Sequence, residues 1–281
     1  MSDAGAASAP GILHIVSTPI GNLGDLSPRA VEVLRGVAAI LAEDTRHSRV
    51  LAERFDIRTP MLAYHEQNEA AAAPRFVERL LRGESLALVS DAGTPLLSDP
   101  GDRLVRAAVE AGVTVSPVPG PSALLAALVA SGLPANRFTF YGFLPRKGGE
   151  RTRALESIVA LTHTAVIYES GNRTDETLHA LVAAGAGERA TVVARELTKQ
   201  YEEFRRGTAA ELATYYEEAA PRGEVVIVIA GAAEEEAPDE DSLRARAAAL
   251  RAQGMSAREV MRVLMDTAHA PRNVAYRLAH E

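Results

Sequence analysis

The chain has 281 residues, a net charge of −7 and a hydrophobic fraction of 47%. It contains no cysteine, which excludes disulfides, thiolate metal sites and cysteine nucleophiles, and favours a cytoplasmic protein. No segment approaches the roughly 20 consecutive apolar residues of a membrane-spanning helix. Because the chain is acidic, we do not expect it to bind a phosphate backbone non-specifically.

Apolar strands and amphipathic helices alternate from residue 12 onward. The small residues before them predict a disordered tail over 1–11 rather than a signal peptide. Asp99 and Pro100 are expected to begin the helix after the fourth strand, and Pro121 the helix after the fifth. Strands are predicted at 12–17, 37–42, 61–64, 86–89 and 113–118. This order predicts an α/β fold with a mostly parallel sheet and helices on both of its faces.

Gly132, Leu133 and Pro134 interrupt the alternation and predict a domain boundary. We therefore expect an N-terminal α/β domain over 12–133 and a C-terminal α/β domain over 134–231. Strands of the second domain are predicted at 138–143, 164–168, 190–195 and 224–230, with antiparallel pairing possible among the last three elements, so its sheet is expected to be mixed. An acidic linker over 232–242 and a helical extension over 243–281 follow.

The helical extension differs from the rest of the chain in charge, since it carries seven arginines and three acidic residues. A capping box from Ser256 to Glu259 opens its first predicted helix, and Pro271 opens the second. Arg258 and Arg262 are four residues apart and so share one helix face. This basic face could contact nucleic acid or belong to a docked lid, but packing alone is the more common role of two such helices.

Four loops at the ends of predicted strands combine glycine, proline, hydroxyl and carboxylate residues: 18–25, 43–47, 90–95 and 119–122. Ligands of open α/β sheets bind at the carboxyl ends of the strands. A single carboxylate such as Asp91 suits a ribose diol or an ammonium group better than a phosphate. Asp91 could equally cap backbone amides in an ordinary turn.

Several familiar motifs are absent or misplaced. The glycines at 185 and 187 follow a helix and precede a strand, the reverse of the dinucleotide-binding order. Gly21 and Gly24, with Glu43 about twenty residues later, lack the third glycine of that motif. There is no phosphate-binding P-loop, no nucleophile elbow and no histidine pair at metal-ligand spacing. Hydride transfer, hydrolysis and kinase chemistry therefore lose support, and no metal site is expected.

Seven blocks of the sequence together resemble one family: residues 18–25, 42–46, 88–95, 117–121, 142–145, 168–170 and 195–199. They resemble the cytidine 2′-O-methyltransferases of small-subunit ribosomal RNA, a branch of the tetrapyrrole methylase superfamily. The resemblance implies two α/β domains with S-adenosylmethionine between them, a homodimer, and methylation of a decoding-region cytidine in 16S rRNA. Alternatives are another methyltransferase of the superfamily, acting on a tetrapyrrole or a protein, and a non-catalytic RNA-binding module.

The resemblance also implies roles for individual residues. Cofactor-binding residues are expected to be Pro19, Gly21, Asp91, Thr94, Pro95, Ser122, Leu144, Tyr168 and Gly223. Candidates for the catalytic residues are Lys199, Glu196, Glu43 and Asp44, and Lys199 could instead hold a phosphate. Substrate phosphates are expected to contact five arginines, namely Arg46, Arg173, Arg195, Arg258 and Arg262. Each of these charged residues could alternatively belong to a structural ion pair.

Overall fold

A computed structural model describes residues 9–219, 221, 223–233, 239–268 and 270–281. The chain divides into two units, residues 1–230 and residues 231–281. The first unit contains two five-stranded sheets, and the second consists of helices. Within the described residues, no helix has the length and apolar character needed to cross a membrane.

The first sheet is parallel throughout. Its strands are β1 (Ile12–Val16), β2 (Ala39–Ala42), β3 (Met61–Ala63), β4 (Leu86–Val89) and β5 (Thr114–Val118). They lie in the order β3-β2-β4-β1-β5, and every pair runs in the same direction. The central strands β2 and β4 are buried along their whole length, as expected for a parallel sheet with both faces covered. The predicted parallel sheet is confirmed.

Helices cover both faces of this sheet. They are α1 (Pro28–Gly36), α2 (Thr45–Arg54), α3 (Glu69–Leu81) and α4 (Asp102–Glu110). Leu34 of α1 and Leu51 of α2 pack into one apolar cluster with the sheet, whereas Leu80 of α3 and Leu104 of α4 pack into another. This arrangement leaves the loops at the carboxyl ends of the strands free to form a site.

The second sheet is mixed, as its sequence predicts. It contains β6 (Phe138–Phe143), β7 (Thr164–Ser170), β8 (Ala190–Arg195), β9 (Glu203–Thr208) and β10 (Glu224–Ile229), in the order β6-β7-β10-β8-β9. β6 and β7 are parallel, and the other three pairs are antiparallel. Helices α6 (Gly149–Ala160), α7 (Thr174–Leu181) and α8 (Ala209–Glu218) pack with it around one apolar cluster.

A fifth helix of the first half, α5 (Ala123–Ser131), packs against the second sheet. Leu124 and Leu128 share an apolar cluster with Val166 of β7 and Val228 of β10. The change from one sheet to the other along the chain falls between α5 and β6, where the boundary at 133 is predicted. The packing of α5 nevertheless ties the two halves into the single unit that ends at residue 230.

Two predicted helix starts are wrong. Helix α4 begins at Asp102 rather than Pro100, because Leu96 and Ser98 adopt left-handed conformations that keep the chain irregular as far as its N-cap Gly101. Helix α5 begins at Ala123 rather than Pro121, because the Ser122 hydroxyl is the group that accepts a hydrogen bond from the Leu125 amide. Asp99, predicted as a cap, is thereby available for another role.

Within its described residues, the second unit contains three helices, one more than predicted: α9 (Glu240–Ala252), α10 (Ala257–Ala268) and α11 (Arg272–His280). Helix α9 was not predicted, because its first residues belong to the acidic run that was interpreted as a linker. Asp239 caps α9 by accepting from the amides of Asp241 and Ser242, so the predicted linker over 232–242 ends too late. Residues 234–238 of that linker lie outside the described residues.

The predicted disordered tail over 1–11 also ends too late. Its residues 1–8 lie outside the described residues. Gly11, in contrast, is buried, and its amide donates to the Leu80 carbonyl at 2.8 Å. The last residue of the predicted tail is therefore part of the folded chain.

Candidate active site

The four motif loops at the carboxyl edge of the first sheet meet at the loop that follows β4. Thr18 and Gly93 form a two-way backbone bridge, with N–O distances of 2.8 and 3.1 Å. The Asp44 amide donates to Asp91 Oδ1 at 3.0 Å. The Thr94 hydroxyl lies 3.0 Å from the carbonyl oxygen of Pro121, to which it donates. Each contact joins a different loop to residues 91–94, so the Asp91 loop is the centre of the site.

This loop faces residues of the second sheet across a cavity of about 240 Å³. From the first half, Asp91, Thr94 and Asp99 line the cavity. From the second half, the lining includes Phe143, Tyr168, Glu196, Lys199 and Glu224. Residues more than 100 positions apart in sequence are thus brought to one concave surface within the first unit.

Backbone conformations around the cavity are unusual. Of the described residues, five other than glycine have a positive φ, and four of them flank the cavity: Leu96, Ser98, Glu196 and Thr198. Non-glycine residues in the left-handed region carry a cost of about 1–3 kcal/mol each and concentrate at functional sites. The two segments that hold the cavity, 94–101 and 196–199, are therefore strained at the positions where they approach it.

The cavity is strongly acidic. Among the described residues that line it, five carboxylates accompany one lysine: Glu43, Asp91, Asp99, Glu196 and Glu224. Burial, and then the nearby charge of Glu43, raises the pKa of Asp99 to about 6. Burial and the charge of Asp91 also raise the pKa of Glu43. Such an environment favours a ligand that carries positive charge.

The lysine is held by two glycines and a carboxylate. Lys199 Nζ donates to Glu196 Oε1 at 2.9 Å. The lysine stem lies against Gly21, where an added Cβ would come within 2.5 Å of Lys199 Cγ. Glu196 lies against Gly223 in the same way, with 2.7 Å between an added Cβ and Glu196 Oε1. The position of this ion pair therefore depends on two backbone segments that lack side chains.

Tyr168 forms the wall between the cavity and α5. Its hydroxyl accepts a hydrogen bond from the Leu124 amide at 3.0 Å, and burial raises its pKa. Its ring makes edge-to-face contacts with Phe140 and Phe143, at centroid distances of 4.8 and 5.6 Å. The tyrosine thus fixes the start of α5 and provides an apolar surface beside the carboxylates.

Comparisons with known proteins identify the family. A family model described as Tetrapyrrole (Corrin/Porphyrin) Methylases matches residues 12–213. A relative from Xylella fastidiosa (strain Temecula1), named ribosomal RNA small subunit methyltransferase I, is 55% identical over 82% of this chain and 85% of its own. A relative of the same name from Synechocystis sp. is 45% identical over 96% of this chain and 98% of its own. The chain belongs to the ribosomal RNA small subunit methyltransferase I family of tetrapyrrole methylases.

Solved structures of less similar proteins share the fold. A uroporphyrin-III C-methyl transferase from Thermus thermophilus, complexed with S-adenyl homocysteine, matches with a TM-score of 0.57 at 19% identity. That match covers 78% of this chain and 97% of the other. A diphthine synthase matches with the same TM-score at 14% identity, covering 78% of this chain and 89% of its own. The resemblance and the α/β fold class expected from the sequence are confirmed.

The structure brings together many of the residues predicted from the resemblance to this methyltransferase family. Those lining the cavity are Glu43, Asp91, Thr94, Tyr168, Glu196 and Lys199. Gly21 and Gly223 contact the ion pair, and Ser122 caps α5 beside Tyr168. Pro19 and Pro95 belong to the loops that meet there but are not in the lining. Leu144 points elsewhere, into the apolar core of the second sheet.

The predicted substrate arginines of the first unit are all engaged in ion pairs. Arg46 donates to the carboxylate of Asp44, which is not among the residues that line the cavity. Arg195 pairs with Glu203 at 2.6 Å. Arg173 lies 3.4 Å from Glu169, which is fully buried. The ion pairs of the alternative are thus present, while a role of these arginines in substrate binding stays a prediction. Arg258 and Arg262 belong to the second unit.

The sequence analysis did not name every lining residue as a site residue, and the chemically notable omissions are Asp99, Phe143 and Glu224. Asp99 was assigned to a helix cap because Asp-Pro is a common helix start. Phe143 and Glu224 lie at ends of strands in the second sheet, and only the fold brings them to the first sheet's loops. The sequence feature that could have identified these residues is their position within or next to the blocks that resemble the family.

Proposed function

We propose that this protein transfers a methyl group from S-adenosylmethionine to small-subunit ribosomal RNA, at the 2′-hydroxyl of a decoding-region cytidine. The names of its relatives support the RNA substrate, and the resemblance of its motif blocks supports the 2′-O position. One observation carries the proposal most directly. The Asp91 loop and the Glu196–Lys199 turn, which come from separate motif blocks, line the same cavity.

The cavity fits the chemistry of the cofactor. S-adenosylmethionine combines a cationic sulfonium and an ammonium group with an adenine ring, and when bound it supplies an electrophilic methyl group. The carboxylates of Asp91 and Asp99 match the cationic groups. Ile20, Leu97 and Leu197 provide apolar walls suited to a flat ring.

Further cofactor contacts are proposed for three polar groups at the rim of the Asp91 loop. Thr94, Ser122 and Tyr168 each carry a hydroxyl there. Their present hydrogen bonds run to the backbone of the neighbouring loops and of α5. These three hydroxyl groups would thus both fix the shape of the binding surface and contact the ligand.

The acceptor hydroxyl would have to lose its proton as its oxygen takes the methyl group, whose bond to sulfur would break to leave S-adenosylhomocysteine. Of the predicted catalytic carboxylates, we assign Glu43 as the acceptor of this proton, since it lines the cavity and burial raises its pKa. A raised pKa makes a carboxylate a better proton acceptor. Asp44 is less suited, because hydrogen bonds from Arg46 hold its pKa well below the usual range.

Lys199 is assigned to charge stabilisation. An ammonium group that donates to a carboxylate, as Lys199 does to Glu196, is a cation and a donor rather than a base. Placed beside the reacting oxygen, it would stabilise the negative charge that develops there. Glu196 is a positioning residue for it.

The proposal is tested with small-subunit rRNA, or assembled subunits, from cells that lack this methyltransferase. The purified protein and radiolabelled S-adenosylmethionine should label one cytidine. The labelled nucleotide should resist alkaline cleavage on its 3′ side, because a 2′-O-methyl group blocks attack on the phosphate. Labelling of a base, or no transfer to either form of the RNA, would refute the proposed reaction.

Variants separate cofactor binding from chemistry. Asp91→Ala should weaken S-adenosylmethionine binding in calorimetry at least tenfold, about 1.4 kcal/mol. Asp102→Ala, on the exposed side of α4, is the matched control and should bind normally. Glu43→Gln should keep most of the cofactor affinity but lose roughly 10²-fold or more in methyl transfer. Normal transfer by Glu43→Gln would remove its assignment as the proton acceptor.

The homodimer implied by the resemblance remains a prediction, as does the cytoplasmic location. Sedimentation velocity on the full-length protein tests the first. A single species at the mass of one chain across the accessible concentration range would argue against a dimer.

A further inference from the structure

The second unit has an unusual distribution of paired and unpaired arginines. Arg244 donates to Glu240, Asp241 and Glu281, at distances of 2.8 to 3.0 Å. Arg277 also reaches Glu240, at 2.7 Å. The charges of these two arginines are therefore neutralised within the second unit. Their ion pairs connect α9 with the last residues of the chain.

Three other arginines of this unit behave differently. Arg258, Arg262 and Arg272 are exposed, and no carboxylate among the described residues lies within 4 Å of their guanidinium nitrogens. All three line one hollow between α10 and α11. Two acids, Glu259 and Asp266, also line it, which leaves the hollow net positive.

The acid nearest to these arginines in sequence is already engaged. Glu259 accepts from the Ser256 amide at 2.9 Å and from the Ser256 hydroxyl at 2.6 Å, completing the capping box. Met261 and Met265 form the apolar floor of the hollow and are only partly covered. The hollow therefore presents guanidinium donors around an apolar surface.

An exposed aromatic group continues this surface along α11. Tyr276 is 58% exposed, and its ring lies 4.3 Å from the ring of His280 at an interplanar angle of 34°. Arg272, Tyr276 and His280 are spaced by four residues, so they form one row on the helix. Large exposed aromatic side chains beside arginines are typical of surfaces that bind single-stranded nucleic acid, where bases stack on the rings.

We infer that Arg258, Arg262, Arg272 and Tyr276 form a docking face for single-stranded segments of the RNA substrate. The arginines would contact phosphates, and the Tyr276 ring would stack on a base. The inference rests on the proposed function, which supplies RNA as the ligand, and extends it to a surface separate from the cavity residues. The core of the unit, around Leu243, Val260, Leu264 and Leu278, supports the face without contributing to it.

The test uses full-length protein and two probes, a labelled twelve-nucleotide oligocytidylate and small-subunit rRNA, each titrated across a range of salt concentrations. Replacing the three arginines by alanine should weaken binding and reduce the log–log salt slope by about 2, at about 0.7 per phosphate contact. Tyr276→Ala should weaken binding about tenfold with little change of slope, because stacking releases no counterions. Tyr276→Phe should restore binding.

Two controls accompany these variants. Arg137→Ala removes an exposed arginine of the first unit and should leave the affinity for both probes within twofold. Replacing Arg258, Arg262 and Arg272 by lysine should preserve the salt slope. Melting curves and cofactor calorimetry on each variant show whether folding and the cavity are intact; both should match the wild type, since the replaced side chains are exposed.

The outcomes separate this inference from the proposed function. If wild-type protein methylates the rRNA and the triple alanine variant keeps its affinity and slope, the docking face is wrong and the proposed function stands. An unaltered slope with a changed oligomeric state would make the face a protein contact and would also overturn it. If the variants weaken oligonucleotide binding but the wild type transfers no methyl group to rRNA, the face stands and the proposed reaction fails.

Discussion

Gly21→Ala is the sharpest test of how the cavity works. The added Cβ would lie 2.5 Å from Lys199 Cγ and 3.0 Å from both Lys199 Cε and the Leu197 carbonyl oxygen. Carbon atoms in contact are normally 3.5–4.0 Å apart, so the lysine stem must move by about 1 Å. The methyl group thus displaces the cation without removing any charge.

The expected magnitude follows from that displacement. Misplacing a catalytic group by about 1 Å can cost roughly 10²-fold in rate, or about 2.7 kcal/mol of transition-state stabilisation. We therefore expect kcat/KM for methyl transfer to small-subunit rRNA to fall about 10²-fold. The free energy of unfolding should change by less than about 1 kcal/mol, because the lysine side chain is 42% exposed and can move into solvent.

Two further variants make this result decisive. Gly36→Ala is the matched control, since an added Cβ there meets nothing within 4 Å, and it should transfer methyl groups normally. In a Lys199→Ala background, Gly21→Ala should cause little additional loss. If Gly21→Ala lowered kcat/KM equally in the Lys199→Ala background, the effect would arise from the contact with the Leu197 carbonyl oxygen. A weakened S-adenosylmethionine affinity with normal kcat would instead show that Gly21 is a cofactor contact, and the reasoning from Lys199 would be refuted.

Two other residues give predictions that do not depend on the identity of the substrate. Arg173→Ala should cost on the order of 3 kcal/mol in chemical denaturation, because it leaves the buried Glu169 carboxylate without its cation; a loss of RNA affinity at unchanged stability would restore the predicted role in substrate binding. Burial and nearby carboxylates raise the pKa of Asp99 from 3.8 to about 6, so its stabilising contribution is complete below pH of about 4 and is lost as pH rises through about 6. As pH rises from about 4 to about 6, the Asp99→Asn variant should therefore gain stability relative to wild type. Profiles of the unfolding free energy against pH that run parallel for the two proteins would contradict this.

Local sequence rules were sufficient to predict that the motif loops of the first sheet meet, although they missed Asp99 as a member of the site. Apolar runs fixed β1 and β4, and the parallel order that follows from helix alternation placed their carboxyl ends at one edge. The contacts of Thr18 with Gly93 and of Asp44 with Asp91 are consequences of that order. No knowledge of distant residues was needed to expect these loops together.

The other half of the site could not be predicted in this way. Phe143 and Glu224 reach the cavity because α5, which follows the first sheet, packs against the second. This packing depends on the shape of apolar surfaces rather than on their period along the chain. The role of Asp99 was missed for a different reason. The left-handed conformations of Leu96 and Ser98 override the usual preference of Asp-Pro for a helix start.

The charges of the two surfaces constrain how RNA could be used. A cavity lined by five carboxylates and one lysine, among the described residues, attracts a cationic cofactor and repels a phosphate backbone. On the proposed function, only the target nucleoside would enter it, while its flanking phosphates stay outside. Of the predicted arginines of the first unit, Arg173 and Arg195 are paired with carboxylates, whereas Arg46 is 88% exposed and remains accessible to a phosphate. If the arginines of the second unit contact RNA phosphates as inferred, salt should weaken RNA binding far more than cofactor binding, because phosphate contacts release counterions.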